Sequence, residues 1–342
     1  MKTDMKRYLS LLILLLLTIL PLVGCEAKAP LCEEELYALD TIITLSAYSS
    51  ETEGFDLAKT EIRRIEALLS VTEPDSDVSK INSSPEKFVA VSDECFELIK
   101  TSLQISESCK GAFDITVYPA LKLWGFTSSS YRVPDKSELL EVKDNIGYNK
   151  IILDDSTKSV KIPKGVSIDL GGIAKGYIAD KAAEILSRQG VTSALLNFGG
   201  NIRLVGSKPH GESFKIGIKA PFGEGYFAVL SADNKTVSTS GGYERYFEES
   251  GNRYHHIINP STLAPAESDV ISSTVVGDKG EICDALSTAA FVCGTKGIEA
   301  LASEYTDYSF VILTEDTVFV SKNISADFEL TDAYKDLKIS II

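Results

Sequence analysis

A chain of 342 residues, 44% hydrophobic and 24% charged, has globular composition and enough length for one large domain or two modest ones. Its formal charge of −15 argues against holding nucleic acid through its phosphates, and against a polybasic patch on an anionic bilayer. An anionic ligand would have to be held locally, by backbone amides, a lysine or a metal.

Lys2, Lys6 and Arg7 precede an apolar run from Tyr8 to Val23, which ends in Leu22-Val-Gly-Cys25. A positive start and a short apolar stretch describe a secretory signal. The run falls short of the ~20 residues that a transmembrane helix needs. Small residues just before Cys25 resemble a bacterial lipoprotein box. Residues 1–24 are therefore predicted to be a signal and Cys25 to carry a diacylglycerol. The protein is expected to be exported and anchored to the cell membrane, facing the outside or the periplasm. Cleavage there removes Lys2, Asp4, Lys6 and Arg7, leaving 31 basic and 48 acidic side chains, a charge of −17. Residues 25–35 read as a tether. Cys32, Cys95, Cys109, Cys283 and Cys293 remain, an odd set without C-x-x-C spacing, which makes neither a disulfide framework nor a zinc site. A Cys95–Cys109 pairing stays open.

Tyr37 to Tyr48 alternates apolar and polar residues as a half-buried strand does. Phe55–Leu69 carries Ile62, Ile65, Leu68 and Leu69 at helical spacing, and the turn-rich segment 72–77 stops it. Asp93 is predicted to cap a second helix through Cys109, with Gly111 just past its end. Residues 151–162 read as a hairpin. Residues 165–206 follow the pattern strand, glycine turn, helix, strand, glycine turn. Further strands are predicted at 214–219, 226–230, 272–276, 309–313 and 317–321. Strands and helices interleave without a regular βαβ beat, so an α+β fold is expected, with residues 36–342 as one unit.

Chemistry concentrates in a few segments. Asp284 and Thr288 stand four residues apart in an apolar helix, so both oxygens can face one hard cation, Mg²⁺ or Ca²⁺ rather than zinc or copper. The same spacing also describes a helix N-cap followed by a packed threonine. The run Ile168-Asp-Leu-Gly-Gly-Ile-Ala-Lys-Gly-Tyr177 leads into a helix predicted over 178–189. Its paired glycines and Lys175 suit an anion at a helix start, without P-loop spacing. Asn197-Phe-Gly-Gly-Asn201 and Ser238-Thr-Ser-Gly-Gly-Tyr-Glu-Arg245 read first as turns and only second as pocket linings, and Ser240 lacks the Gly-x-Ser-x-Gly setting of a hydrolase nucleophile. Of the three histidines, His255 and His256 are adjacent, and strand geometry sends neighbours to opposite faces, so one of them can serve a site as general base.

In order along the chain, Gly111-Ala-Phe-Asp114, Leu123-Trp-Gly-Phe126, Asp169-Leu-Gly-Gly-Ile-Ala-Lys-Gly176, Asn197-Phe-Gly-Gly200, Thr239-Ser-Gly-Gly-Tyr243, His256-Ile-Ile-Asn-Pro260 and Asp284-Ala-Leu-Ser-Thr288 resemble the motifs of the ApbE family. These are flavin transferases that move FMN from FAD onto a protein threonine. The resemblance implies a single ApbE-like, T-fold-related domain with mixed sheets and flanking helices. It implies Mg²⁺ ligands at Asp284, Thr288 and the backbone of Gly172. It implies FAD contacts at Ala112, Phe113, Asp114, Lys175 and Ile257, Asp169 beside the pyrophosphate and in catalysis, and His256 as base. Two departures fall on positions expected to touch the flavin: Leu39 replaces the family's usual methionine, and Thr72 stands where an aromatic is common. The implied partners are FAD and an acceptor protein bearing the threonine, such as a subunit of a membrane redox complex. FAD hydrolysis by water at the same site, and a flavin-binding lipoprotein without chemistry, are the competing expectations.

Overall fold

The computed structural model describes residues 30–49, 53–128 and 130–342. The predicted signal, Cys25 and the first part of the predicted tether lie outside the described residues. Among the described residues, no helix is long and apolar enough to cross a membrane.

The first correction comes at once. Strand β1 (Leu31–Ala38) begins inside the segment read as a tether and pairs along its whole length with β2 (Thr41–Tyr48). The predicted single strand 37–48 is thus the end of β1, a turn at Leu39 and Asp40, both at positive φ, and the whole of β2. Helix α1 (Glu53–Leu69) buries Phe55, Ala58, Ile62 and Ile65 at i, i+3 and i+4 spacing. Residues read as a plain turn lead into a short helix α2 (Asp77–Ser83), capped by Ser76. After β3 (Val89–Ala90), α3 (Asp93–Ser108) is capped by the Ser92 side chain, not by Asp93. Cys95 and Cys109 are buried and free, so no disulfide joins them. Next come α4 (Tyr118–Leu123), α5 (Lys136–Lys143) and the predicted hairpin β4 (Ile152–Asp154) and β5 (Ser159–Lys161).

Val166, Ser167, Ile168 and Leu170 are buried, yet segment 165–170 joins no sheet, a second departure from the predicted pattern. Helix α6 (Ala174–Arg188) starts four residues earlier than expected, which puts Lys175 and Gly176 in its first turn. Then follow β6 (Ala194–Phe198), β7 (Asn201–Val205), β8 (Phe214–Lys219), β9 (Tyr226–Ala232) and β10 (Thr236–Gly241). A hairpin of β11 (Tyr246–Glu249) and β12 (Asn252–His255) separates β10 from β13 (Ser272–Gly277). Helices α7 (Gly280–Cys293) and α8 (Thr295–Glu304) lead to β14 (Ser309–Leu313), β15 (Thr317–Val320), β16 (Phe328–Leu330) and β17 (Lys338–Ile341).

Nine strands form one sheet in the order β1-β2-β6-β7-β10-β13-β14-β15-β17, antiparallel except for the last pair. One face carries α6 and α7 and the larger apolar core. The other is covered by the three-stranded sheet β16-β9-β8, whose Phe214, Ile216, Phe227 and Leu230 pack on Leu204, Val237, Val311 and Val318. Period-two alternation explains how β10 serves both. Val237 goes to the small sheet, whereas Thr236 and Ser240 carry hydroxyls toward α6 and α7. A smaller aromatic cluster of Trp124, Phe126, Phe247 and Tyr254 ties the β11–β12 hairpin to α4.

Candidate active site

Helices α6 and α7 cross at Gly176 and Gly280, where a Cβ on either residue would collide with the other's carbonyl oxygen. Only glycine at both positions permits this approach. It sets Asp284 beside the start of α6. In a regular helix the Gly176 amide would reach the Gly172 carbonyl four residues back. Instead it donates to Asp284 Oδ2 at 3.1 Å, so the Gly172 carbonyl is without its helical amide. Asp284 is 4% exposed and has no cation within ion-pairing distance among the described residues. It is not a cap, because α7 has already begun at Gly280. One turn on, Thr288 Oγ1 lies 3.2 Å from Ser240 Oγ, which also meets Ser287 Oγ at 2.8 Å. A buried carboxylate without a counter-charge, a hydroxyl on the same helix face and a freed carbonyl suit a hard cation that keeps part of its water shell. Among the described residues, no group of three or more His, Cys, Asp or Glu could hold a metal. The donor set here needs only one carboxylate.

Around the same helix start stand Asp169, Lys175, Arg245 and His256. Lys175 Nζ donates to the Gly171 carbonyl at 3.2 Å, and the Gly171 amide donates to Asp169 Oδ1 at 2.8 Å. Burial pushes the Asp169 carboxyl up, while the Gly171 amide and the charges of Lys175 and Arg245 pull it back. His256 follows the end of β12. Its amide and its Nδ1 both meet the Arg245 carbonyl, each at 3.1 Å. A carbonyl can only accept, so Nδ1 carries the proton and Nε2 keeps its lone pair. Burial pushes the imidazole down to about 3, with Lys175 and Arg245 acting in the same direction. It is therefore neutral at pH 7 and able to accept a proton.

His255 sits in different surroundings. Its Nε2 lies 3.2 Å from the Ala266 carbonyl and its ring stands edge-on to Phe291. It lines a cavity of about 450 Å³ with Phe222, Tyr243, Arg253 and Ser268. Arg253, two residues earlier, shares that face, while Tyr254 packs against Trp124.

The other predicted site residues divide. Phe113 is buried against Gly172, where a Cβ would stand 3.1 Å from its ring, so it forms one wall of the glycine turn. Asp114 is also buried, but both oxygens are engaged: Oδ1 accepts from the Thr116 amide and hydroxyl, and Oδ2 from the Tyr148 amide. Its side chain clamps a loop, and the Ala112 and Phe113 amides are themselves engaged, by the Cys109 carbonyl and Sγ, which leaves the Ala112 carbonyl and the Asp114 amide as the main-chain groups open to a ligand. Ile257 is 5% exposed with its side chain in the core, so it too can offer only backbone. Leu39 lies in the β1–β2 turn, its amide bonded to Glu66. That turn lies at the same end of the sheet as the β6–β7 turn and Gly241. Thr72 is exposed and its bonds go to Ser70, so no bond ties it to the cluster.

Two features carried no assigned role in the sequence reading. Arg245 closes a quoted motif, and only the fold brings its side chain to Phe126 and its carbonyl to His256. Ser240 lies inside a run that reads as a turn, and its place beside Thr288 needs the β10–α7 packing.

A profile of the ApbE family matches residues 39–312. A protein of Klebsiella pneumoniae named FAD:protein FMN transferase is 35% identical over 266 residues, 76% of this chain and 82% of that one. One of the same name from Treponema pallidum is 32% identical over 81% of this chain and 80% of its own. The crystal structure of the ApbE protein of Thermotoga maritima superposes with a TM-score of 0.78 at 34% identity, covering 90% of this chain and 99% of that one. The apo flavinyl transferase ApbE of Pseudomonas stutzeri gives 0.73 at 26%, covering 91% and 98%.

Proposed function

The chain belongs to the ApbE family, and from that premise we propose that it is an FAD:protein FMN transferase that acts with Mg²⁺ on a threonine of an acceptor protein and releases AMP. The observation that carries this reading is Asp284: a buried carboxylate with no counter-charge, turned toward a helix start that also bears Lys175. Gly172, Asp284 and Thr288 would hold Mg²⁺, which would neutralise charge on the pyrophosphate as AMP departs.

The residues of the chain do the rest. The α6 start and Lys175 offer positive potential to the FAD pyrophosphate in a protein that is otherwise strongly acidic. Phe113 and the Gly171-Gly172 turn shape the wall beside it. His256, neutral with Nε2 unprotonated, takes the threonine proton as the hydroxyl oxygen attacks the FMN phosphorus. The new bond joins threonine oxygen to that phosphorus, and the bond to the AMP phosphate breaks. Asp169, held by the Gly171 amide, balances the positive charge of Lys175 and Arg245 around the site. The acceptor is expected to be an exported protein, such as a membrane redox-complex subunit, reached from a lipid anchor on Cys25.

Incubating the mature domain with FAD, Mg²⁺ and a threonine-bearing acceptor tests this, with AMP release and covalent flavin fluorescence on denaturing gels as readouts. Transfer in EDTA would overturn the metal assignment. AMP release without labelled acceptor would make the enzyme an FAD hydrolase. Binding of FAD with neither product would reduce it to a flavin carrier.

A further inference from the structure

Two cations at the site, Lys175 and Arg245, have no carboxylate within ion-pairing distance among the described residues, and of the two only Arg245 carries a forked guanidinium. Arg64, Arg132, Arg203 and Arg253 each meet a carboxylate, and Glu244, next in sequence to Arg245, meets Lys219. Arg245 is half-buried, and its guanidinium donates through Nη2 to the Phe126 carbonyl. Among the described residues no carboxylate is within ion-pairing distance of it. In a chain with 49 acidic residues, a half-buried guanidinium without a carboxylate is a prepared place for an anion brought from outside. A guanidinium is also planar and forked, which suits two oxygens of one phosphate.

Its position narrows the choice of anion. The carbonyl of Arg245 is the atom that receives both the amide and Nδ1 of His256. The Phe126 ring, whose residue anchors the guanidinium, stands 6.3 Å from the His256 ring. Residue 245 therefore fixes the base through its main chain while its side chain reaches the ground beside that base. Lys175, in the first turn of α6, acts on His256 as well, and Asp169 and His255 complete the titratable groups around it. A phosphate bound by Arg245 is the one nearest the group that accepts the threonine proton.

We propose that Arg245 binds the FMN-side phosphate of FAD, the one whose phosphorus is attacked, while Lys175 and the helix start face the AMP side. The inference rests on the transferase reading and assigns a residue to one phosphate of its substrate. Because the FMN phosphate stays on the acceptor, Arg245 would hold the group that is transferred rather than the one that leaves.

The test measures binding of FAD, FMN, riboflavin and AMP by fluorescence or calorimetry to wild type, Arg245→Met, Arg245→Lys and Arg253→Met. Loss of a charged hydrogen-bond donor is expected to weaken FAD and FMN roughly 10–100-fold. Riboflavin and AMP should be unchanged, Arg245→Lys should recover part of the loss, and Arg253→Met, on the other face of the hairpin, should bind as wild type. Melting temperatures of each variant are read alongside. If riboflavin weakens together with FAD, or if Arg245→Lys fails where melting also drops, Arg245 merely braces the hairpin through Phe126 and the proposal is wrong. If AMP weakens instead of FMN, the phosphate assignment is reversed. If wild type binds no FAD, the transferase reading falls and takes this inference with it. Wild-type binding together with an unaffected Arg245→Met overturns the inference alone.

Discussion

Two aspartates face each other across the α6–α7 crossing, and their bonding is reciprocal. Asp180, on α6, accepts from the Gly280 amide at the start of α7, at 2.6 Å. Asp284, on α7, accepts from the Gly176 amide in the first turn of α6, at 3.1 Å. The difference is the counter-ion. Asp180 meets Arg203 at 2.7 Å, an ionic contact that is not an aligned hydrogen bond, since Nε lacks an in-line acceptor. Asp284 meets no cation. A carboxylate whose counter-ion the fold supplies belongs to the scaffold, and one without a counter-charge suits a ligand from outside.

Removing the two carboxylates separates these roles. Asp284→Ala is expected to cut transfer roughly 10³-fold or more, the scale of losing a principal charge-organising group. Its melting temperature should fall little, and the thermal stabilisation by Mg²⁺ expected of wild type should be absent from it. Asp180→Ala should do the opposite, costing about 3–5 kcal/mol by stranding Arg203, while the folded fraction still transfers FMN. Denaturant titrations with activity at matched folded concentration decide it. An inactive but stable Asp180→Ala would erase the distinction.

The adjacent histidines sharpen the same contrast one layer out. His256→Ala should keep FAD affinity and lose flavinylation by about 10²–10⁴-fold. His255→Ala should lose far less, since its ring meets Ala266 and Phe291 instead. Reversal of the two outcomes, on one acceptor, would mean that the wrong ring has been placed at the phosphate.

How much of this was legible beforehand follows from range. The β13 and β14 strands, α1 and the 151–162 hairpin came from local periodicity, because their apolar faces repeat within a few residues. The Asp284–Thr288 pair was visible for the same reason, being one helix turn. Its ambiguity with a cap was not resolvable, because the start of α7 at Gly280 is set by contact with Gly176, 104 positions away. Segment 165–170 looked like a strand because it is apolar, yet burial without a neighbouring strand leaves it unpaired. Ser238–Arg245 looked like a turn because its serines and glycines mask a buried strand whose partners lie on other elements. Asp114 stood out in its motif, but its internal bonds to Thr116 and Tyr148 need the folded loop.

Smaller effects probe the crossing itself. Gly176→Ala or Gly280→Ala should cost about 1–3 kcal/mol by forcing the helices apart, and should weaken activity more than distant substitutions of equal cost. Chemical denaturation beside initial rates tests that. Acidity gives the mildest handle. Burial is the main cause that raises the Asp180 carboxyl to about 6, above its ordinary range. A raised carboxyl lends stability below its unfolded pKa near 4, and loses it as pH climbs through about 6. Wild type should therefore lose stability relative to Asp180→Asn between about pH 4 and pH 6, and run parallel above it. Parallel melting curves across the whole range would show that Asp180 titrates normally.

The bond from the Gly176 amide to Asp284 turns one backbone proton into a witness of the site. Its nitrogen belongs to the helix, its acceptor to the carboxylate expected to meet the cation, and its i−4 carbonyl to the turn beneath it. In an amide correlation spectrum that single resonance should move when metal or substrate arrives. Its exchange with deuterium should slow in step with the closing of the crossing. Glycine amides occupy their own region of such spectra, so in ¹⁵N-enriched protein occupancy of the active centre can be followed at residue 176 without an acceptor or a turnover event.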